Sequence, residues 1–307
     1  MRAVVVSRWG GPEVLVEREI ERPEPGLTEI LVRVHAAGVN PVDWKTRASG
    51  AFIPWQEVPV VGWDVSGVVE AVGGGVTLFE PGDEVFGMPR FPHQASGYAE
   101  YVTGPARHFA RKPADIDHVA AAALPLAALT AWQALVDTAD VRPGQRVLVH
   151  AAAGGVGHLA VQIAKARGAY VIGTASAGKH ELLRSLGADE LIDYREQDFS
   201  EALSGVDVVL DGIGGDYGRR SLKVLRPGGH LVSLLGLDDV PADAAGFRTD
   251  WLIVEPDHQG MKEIAALVER GLLKAEIDTV LPLSDAAKAH EIGERNRTTG
   301  KIVLTVV

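Results

Sequence analysis

The stretch VLVHAAAGGVGHLAVQIAKARGAYVIGTASAGKH, residues 147–180, decides the fold. An apolar run, VLVH, leads into the glycine-rich turn AAAGGVG, which opens a segment of helical period; a second apolar run, AYVIGT, follows. Strand, glycine turn, helix and strand in that order form the context in which a dinucleotide fingerprint has physical meaning. Laid on G-x-G-x-x-G, the three key positions are Ala152, Gly154 and Gly157. The middle glycine lets the backbone approach a pyrophosphate, and the third lets the helix close on the strand. The first position needs only a tight turn, which alanine accommodates if its φ stays negative. The helix start offers unbonded N–H groups and the positive end of its dipole to phosphates. Ala153, Gly154, Gly155, Val156 and Gly157 are therefore candidate cofactor contacts. An ordinary strand-to-helix turn is the alternative for such a motif standing alone.

It does not stand alone. The runs RVLVH, AYVIGT, ELIDY, VDVVLDG and GHLVSLL alternate with helical segments starting near Val156, Lys179, Glu196 and Gly215. Five short strands separated by helices predict a doubly wound parallel sheet covered on both faces. Farther on, DHQGMKEIAALVERG reads as a helix, TVLPL as a strand, the segment from Ser284 as a helix and KIVLTVV as a last strand. The first third differs: RAVVVS, EILVRVHAAGV and WDVSGVVEAVG are Val- and Ile-rich runs broken by EPGLTE, GGG and EPGDE, which predicts a mostly antiparallel β domain. NPVDWKTRASG between two of these strands reads as a short helix or turn with Pro41 at an early position.

The second strand also bears on which nucleotide binds. A cofactor without a 2′-phosphate usually has its adenosine ribose held by an acidic residue ending that strand. Here Gly173 and Thr174 stand in its place, with the hydroxyl of Ser176 and the charge of Lys179 just beyond. That set suits the 2′-phosphate of NADPH. The alternative for Lys179 is a solvated surface lysine.

Composition narrows the partners. The 307 residues exceed the usual single domain, and 46% hydrophobic residues suffice for two cores. Thirty basic against 41 acidic residues leave a net charge of −11 without a basic block, which argues against a nucleic-acid or anionic-membrane partner. The absence of cysteine removes disulfides, thiolate nucleophiles and Cys-ligated metals. The most apolar stretch, VAAAALPLAALTAWQALV, is interrupted by Pro125 and reads as a buried helix pair rather than a membrane span. With no signal-peptide pattern at MRAVVVSRWGGPE, a cytoplasmic location is expected. The ten histidines show no metal-ligand spacing, and His150, ending the first strand of the parallel series, reads as a structural histidine.

Several segments, taken in order, resemble the zinc-independent medium-chain dehydrogenases/reductases of the quinone oxidoreductase (zeta-crystallin-like) family: GVNPVDWKTR, VGWDVSGVVEAVGGGV, PGDEVFG, GYAEY, LTAWQAL, the glycine-rich stretch, LIDYRE, VLDGIGG, LRPGGHLVSLLG and RTTGKIVL. The resemblance implies an α/β chain of two parts. One is a GroES-like, mostly β catalytic domain over residues 1–120, completed by 262–307; the other is a Rossmann NADP-binding domain over 121–261. Zinc-dependent relatives carry Gly-His-Glu where this chain reads Gly62-Trp63-Asp64, so no metal is expected.

The resemblance further places Asn40 and Thr130 near the nicotinamide and the acceptor, Asn40 orienting a carbonyl or carboxamide and Thr130 the ring. A turn residue before Pro41 and a helix hydroxyl bonded to its own backbone are the respective alternatives. Tyr194 resembles the tyrosine that meets the 2′-phosphate in NADP-using relatives. Ile213, Leu234 and Leu235 match positions that line the ribose and nicotinamide. Where many relatives carry tyrosine two residues after the Asp of VNPVD, this chain has Lys45, which either polarises the acceptor or points to water. Trp44, Phe52 and Trp55 form either an apolar lid or ordinary core.

The expected activity is NADPH-dependent reduction of a quinone or other α,β-unsaturated carbonyl, in which a hydrogen-bond donor rather than a metal stabilises the charge arriving on the acceptor oxygen. An enoyl or alkenal reductase of a biosynthetic pathway and a non-catalytic NADPH-binding sensor are the competing readings. The resemblance also implies a homodimer paired through edge strands of the Rossmann sheets.

Overall fold

The computed structural model describes residues 1–53, 59–241, 244 and 246–306. Its contacts divide the chain into two units, Met1–Leu129 with Glu255–Val307, and Thr130–Val254. Relative to the expected boundaries, residues 121–129 and 255–261 go with the first unit. Helix α2 (His118–Ala122) packs on the strands of that unit, and helix α8 (His258–Glu269) lies against one of them, His258 Nδ1 sitting 2.7 Å from the Phe109 carbonyl.

The first unit begins with a ribbon, β1 (Arg2–Val6) paired antiparallel with β2 (Leu15–Glu19). The long β3 (Glu29–Val39) pairs antiparallel with β4 (Asp64–Val72), which pairs with β5 (Glu84–Gly87). β6 (Tyr101–Pro105) pairs with β3, and β7 (Phe109–Arg111) with β5. Val32, Val34 and Ile30 of β3 are buried, as expected for a β-branched run. Helix α1 (Pro41–Ser49) follows β3 with Pro41 at its start, where the missing N–H costs nothing, and Asn40 and Asp43 close a reciprocal capping box.

The second unit holds a six-stranded parallel sheet among the described residues, in the order β10-β9-β8-β11-β12-β13. These strands are β8 (Arg146–Val149), β9 (Tyr170–Thr174), β10 (Glu190–Ile192), β11 (Val206–Asp211), β12 (Leu225–Ser233) and β13 (Arg248–Trp251). In chain order this is 3-2-1-4-5-6, the doubly wound arrangement, whose direction reverses between β8 and β11. The expected strands and helices are present: α4 (Gly157–Ala166), α5 (His180–Ser185), α6 (Phe199–Ala202) and α7 (Tyr217–Leu222) join them. Sequence reasoning missed β13, RTDW, because an edge strand with three polar positions and three exposed side chains carries no apolar pattern. Helix α3 (Pro125–Trp132), followed by a π-helical turn over Gln133–Thr138, accounts with α2 for the apolar stretch read as a buried helix pair. No helix among the described residues is long and apolar enough to cross a membrane.

The chain then returns to the first unit through α8, and β14 (Ile277–Pro282) and β15 (Lys301–Thr305), joined through α9 (Ala286–Glu294), complete its sheet, β15 pairing antiparallel with β3.

Candidate active site

In the second unit the glycine-rich turn leaves β8 at the switch point. Its left-handed residue is Ala151, at φ 49°, one position ahead of the fingerprint, so Ala152 keeps a negative φ as its reading requires. A β-carbon on Gly157 would stand 2.3 Å from the Ala151 carbonyl oxygen and 2.8 Å from the Ala152 α-carbon; only glycine lets α4 close this tightly on the turn. Gly173 explains the alanine: a β-carbon there would lie 2.9 Å from that of Ala152. One methyl group fills the space, and it comes from the turn instead of the strand. His158, fully buried on α4, sets its Nδ1 2.8 Å from the Gly154 carbonyl oxygen and steadies the turn, a role that no spacing announced.

The other predicted cofactor residues stand past the carboxyl ends of the parallel strands. Tyr194 (49% exposed) follows β10, Ile213 (38%) follows β11, and Leu235 (48%) follows β12 beside half-buried Leu234. Exposed apolar side chains at successive strand tips are costly in water and are the surface expected of a ligand crevice. Asp211 shapes this rim by accepting the Ile213 and Gly214 N–H groups at 2.8 and 3.1 Å; its other oxygen is buried without a partner among the described residues, and burial pushes the carboxyl up.

Ser176 and Lys179 lie half-buried in the loop after β9. Asp193, at the end of β10, accepts the Ala177 N–H at 2.9 Å and the Arg195 N–H at 3.0 Å, tying that loop to the turn that carries Tyr194. Thr174 departs from expectation. It is buried, with its hydroxyl 3.3 Å from His150 Nδ1, because its side chain falls on the inner face of β9 and not at the tip. His150, whose Nε2 lies 3.0 Å from the Ser221 hydroxyl, is pushed down to about 3 by burial and then by Arg220, and stays neutral.

The first unit carries a buried polar cluster around α1. Asn40 donates from Nδ2 to Asp64 Oδ2 at 2.8 Å, its Oδ1 accepts from Lys301 Nζ, and its backbone N–H bonds Asp43 Oδ2 at 2.7 Å. Lys301 pairs with Asp64 at 3.4 Å, and the other Asp64 oxygen accepts the Leu126 N–H at 2.7 Å. Asp43 Oδ2 also accepts from the Tyr98 hydroxyl at 3.0 Å, which lies 3.1 Å from His290 Nε2. Arg47 faces His290 Nδ1 at 3.4 Å and donates to Glu294 at 2.5 Å. The Arg47 contact makes Nδ1 the acceptor, so Nε2 of His290 carries the proton and donates to Tyr98. Burial, then Arg47, pushes His290 down to about 3, while burial first and nearby Asp64 next push Asp43 up to about 7. Tyr98, His290 and Lys301 escaped the sequence reading, Lys301 lying 261 positions from Asn40, and Asp64 was read only as a departure from a metal motif.

Lys45 stands on the exposed side of α1, so the burial that a polarising role requires is not met. Trp44 packs edge-on to His290, 6.2 Å between centroids, as core, whereas Phe52 is 46% exposed beside Phe91. Trp55 lies outside the described residues. Thr130, the first residue of the second unit, is buried on α3.

Residues 26–114 match the alcohol dehydrogenase GroES-like domain, and residues 186–304 match the zinc-binding dehydrogenase family. The chain is 38% identical to an NADPH-dependent alkenal/one oxidoreductase of Arabidopsis thaliana, over 99% of this chain and 79% of that protein. The solved quinone oxidoreductase of Coxiella burnetii superposes with a TM-score of 0.91 at 36% identity, covering 100% of this chain and 99% of that one. The Escherichia coli quinone oxidoreductase, solved with NADPH, gives 0.88 at 31%, with both chains fully covered. The chain belongs to the quinone oxidoreductase family of medium-chain dehydrogenases/reductases.

The residues at the position of this family's zinc-binding branch do not fit a metal. Trp63 is wholly buried, edge-on to Phe91 and donating from Nε1 to the His93 carbonyl at 2.7 Å. Both oxygens of Asp64 are already engaged. No group of three or more His, Cys, Asp or Glu that could hold a metal occurs among the described residues.

Proposed function

We propose that this quinone oxidoreductase family member is an NADPH-dependent reductase of quinones or other α,β-unsaturated carbonyls that works without a metal. The observation carrying the proposal is the carboxyl rim of the parallel sheet, which holds a turn with no room for a β-carbon at Gly157, exposed Tyr194, Ile213 and Leu235, and a buried Asp211 oxygen that no described residue meets. These features fit a dinucleotide. Ala153–Gly157 would take its pyrophosphate, Ser176, Lys179 and Tyr194 its 2′-phosphate, and Ile213 with Leu234 and Leu235 its nicotinamide half. Thr174, turned inward to His150, would contribute its backbone only.

When bound, NADPH supplies the hydride. The chain's part is to orient the acceptor, exclude water and stabilise the charge that develops on the acceptor's carbonyl oxygen. Asn40 is our candidate donor to that oxygen and Thr130 our candidate for positioning the nicotinamide; Lys45, being exposed, is dropped from the catalytic set. A relative named for alkenals and neighbours named for quinones support both acceptor classes. The proposal includes a homodimer, supported by the edge position of β13, whose Trp251 is 59% exposed, with Ile253 just beyond it at 50%. Sedimentation at monomer mass would refute that part.

The test is loss of NADPH absorbance with a simple quinone and a simple enone, NADH serving as control. Turnover of either acceptor with NADPH preferred is expected. Preference for NADH would remove the assignment of Ser176, Lys179 and Tyr194, and NADPH binding without turnover of either acceptor would leave the sensor reading in its place.

A further inference from the structure

We propose that Lys301 and Asp64 are positioning residues that fix the polarity of the Asn40 amide, so that Asn40 offers the acceptor an N–H donor and not a carbonyl. The inference rests on the assignment of Asn40 made above and goes beyond it by naming the partners that enforce the assignment and the atom that is presented.

An asparagine amide has two faces of nearly equal shape, one donating and one accepting, and only its neighbours choose between them. Asn40 is 2% exposed, so water does not choose. Lys301, 3% exposed and ion-paired with Asp64, has donors only, and it meets Oδ1. Asp64, fully buried, meets Nδ2 at 2.8 Å with an oxygen that accepts. A flipped amide would set its NH₂ against the ammonium and its oxygen against the carboxylate, two buried like-pole contacts in place of two charge-assisted hydrogen bonds. Asp64 cannot turn away, because its second oxygen is held by the Leu126 N–H at 2.7 Å. The backbone of Asn40 is fixed as well, its N–H bonded to Asp43 at the start of α1. Among the described residues Nδ2 donates to Asp64 alone, which leaves its second N–H for an acceptor. The cation on Oδ1 draws electron density from the amide and strengthens that N–H as a donor, which is what an oxygen gaining negative charge requires.

The test uses the full-length enzyme. Lys301→Met alone leaves Asp64 buried and unpaired and can fail to fold, so the decisive variant is the neutral pair Lys301→Met with Asp64→Asn, accompanied by Lys301→Arg. The double variant should keep NADPH binding, read by fluorescence titration, while kcat for quinone and enone falls on the order of tenfold to a hundredfold; Lys301→Arg, which keeps a donor, should recover most of the rate. A double variant with wild-type kcat would overturn the proposal. A readout independent of turnover is the side-chain amide of Asn40 in ¹⁵N-labelled protein, assigned by its loss in Asn40→Asp. In the wild type its two protons should be widely split and slow to exchange, and in the double variant they should draw together. Wild-type protons that already resemble those of the double variant would also overturn the proposal. If the wild type reduces neither acceptor, the functional reading fails while the amide spectrum still decides whether Lys301 and Asp64 hold Asn40.

Discussion

Replacing Asp43 with Asn should remove a loss of stability that the wild type suffers as pH rises through neutrality. Asp43 is fully buried; its Oδ2 takes the Asn40 N–H and the Tyr98 hydroxyl, and its Oδ1 has no partner among the described residues. Burial, aided by the charge of Asp64, outweighs these hydrogen bonds and the pull of Lys301, and raises the group from 3.8 to about 7. The folded chain therefore holds this proton more tightly than the unfolded chain. The stabilisation is complete below the unfolded value and is lost as pH climbs through about 7. At about 1.4 kcal/mol per pH unit, the whole span is worth about 4 kcal/mol, of which more than half falls between about pH 5 and about pH 8. His150 and His290 act oppositely: held down at about 3, they add stability as pH rises toward the ordinary histidine value of 6.5. The wild-type profile mixes the two effects, and the difference between wild type and Asp43→Asn isolates the carboxyl. Urea unfolding followed by circular dichroism at several pH values measures that difference, and the ¹³Cγ resonance of Asp43 gives the midpoint directly. Parallel profiles for the two proteins, or a resonance titrating near the ordinary aspartate value, would refute the reasoning.

Gly157→Ala should destabilise the chain by about 1–3 kcal/mol through overpacking against Ala151 and Ala152, and should raise KM for NADPH, as thermal melts and steady-state kinetics would record. Gly173→Ala should cost a similar amount because it adds a second methyl group opposite Ala152, and Ala152→Gly should restore much of it; additive losses in a double-mutant cycle would count against the shared space. Lys179→Ala should raise KM for NADPH about tenfold and leave that for NADH unchanged, the mark of a lost phosphate contact.

The fold was legible wherever one periodicity ruled a segment. The βαβ series declared itself because its strands are buried on both faces and its turn is short of space. β13 did not, since an edge strand with Thr249 and Asp250 at its centre has no apolar pattern to read. The candidate site was legible in part for a related reason. Local features such as the glycine turn and the helix start at Pro41 are each contained in a few consecutive residues. The groups that decide how Asn40 behaves come from β4 and β15 and meet it only after the sheet has closed. Lys45 illustrates the converse. Its position in the sequence pointed to the acceptor, but the helix that carries it turns that side to solvent and presents Asp43, Thr46 and Arg47 to the interior.

The two residues that the nucleotide fingerprint lacks have structural explanations of different kinds. The first glycine is exchanged rather than lost: Ala152 supplies the methyl group and Gly173 on the neighbouring strand carries none, so a single methyl group fills the space between turn and strand. The acidic residue is displaced by one strand. Asp193 ends β10 instead of β9, and it accepts backbone N–H groups from Ala177 and Arg195 on either side of the crevice rim. A carboxylate whose oxygens are taken up by the backbone is a poor partner for a ribose diol. Its effect is to hold the loop of Ser176 and Lys179 against the turn of Tyr194, so the residue type that favours an unphosphorylated ribose at the tip of the second strand here braces the residues suited to a phosphate.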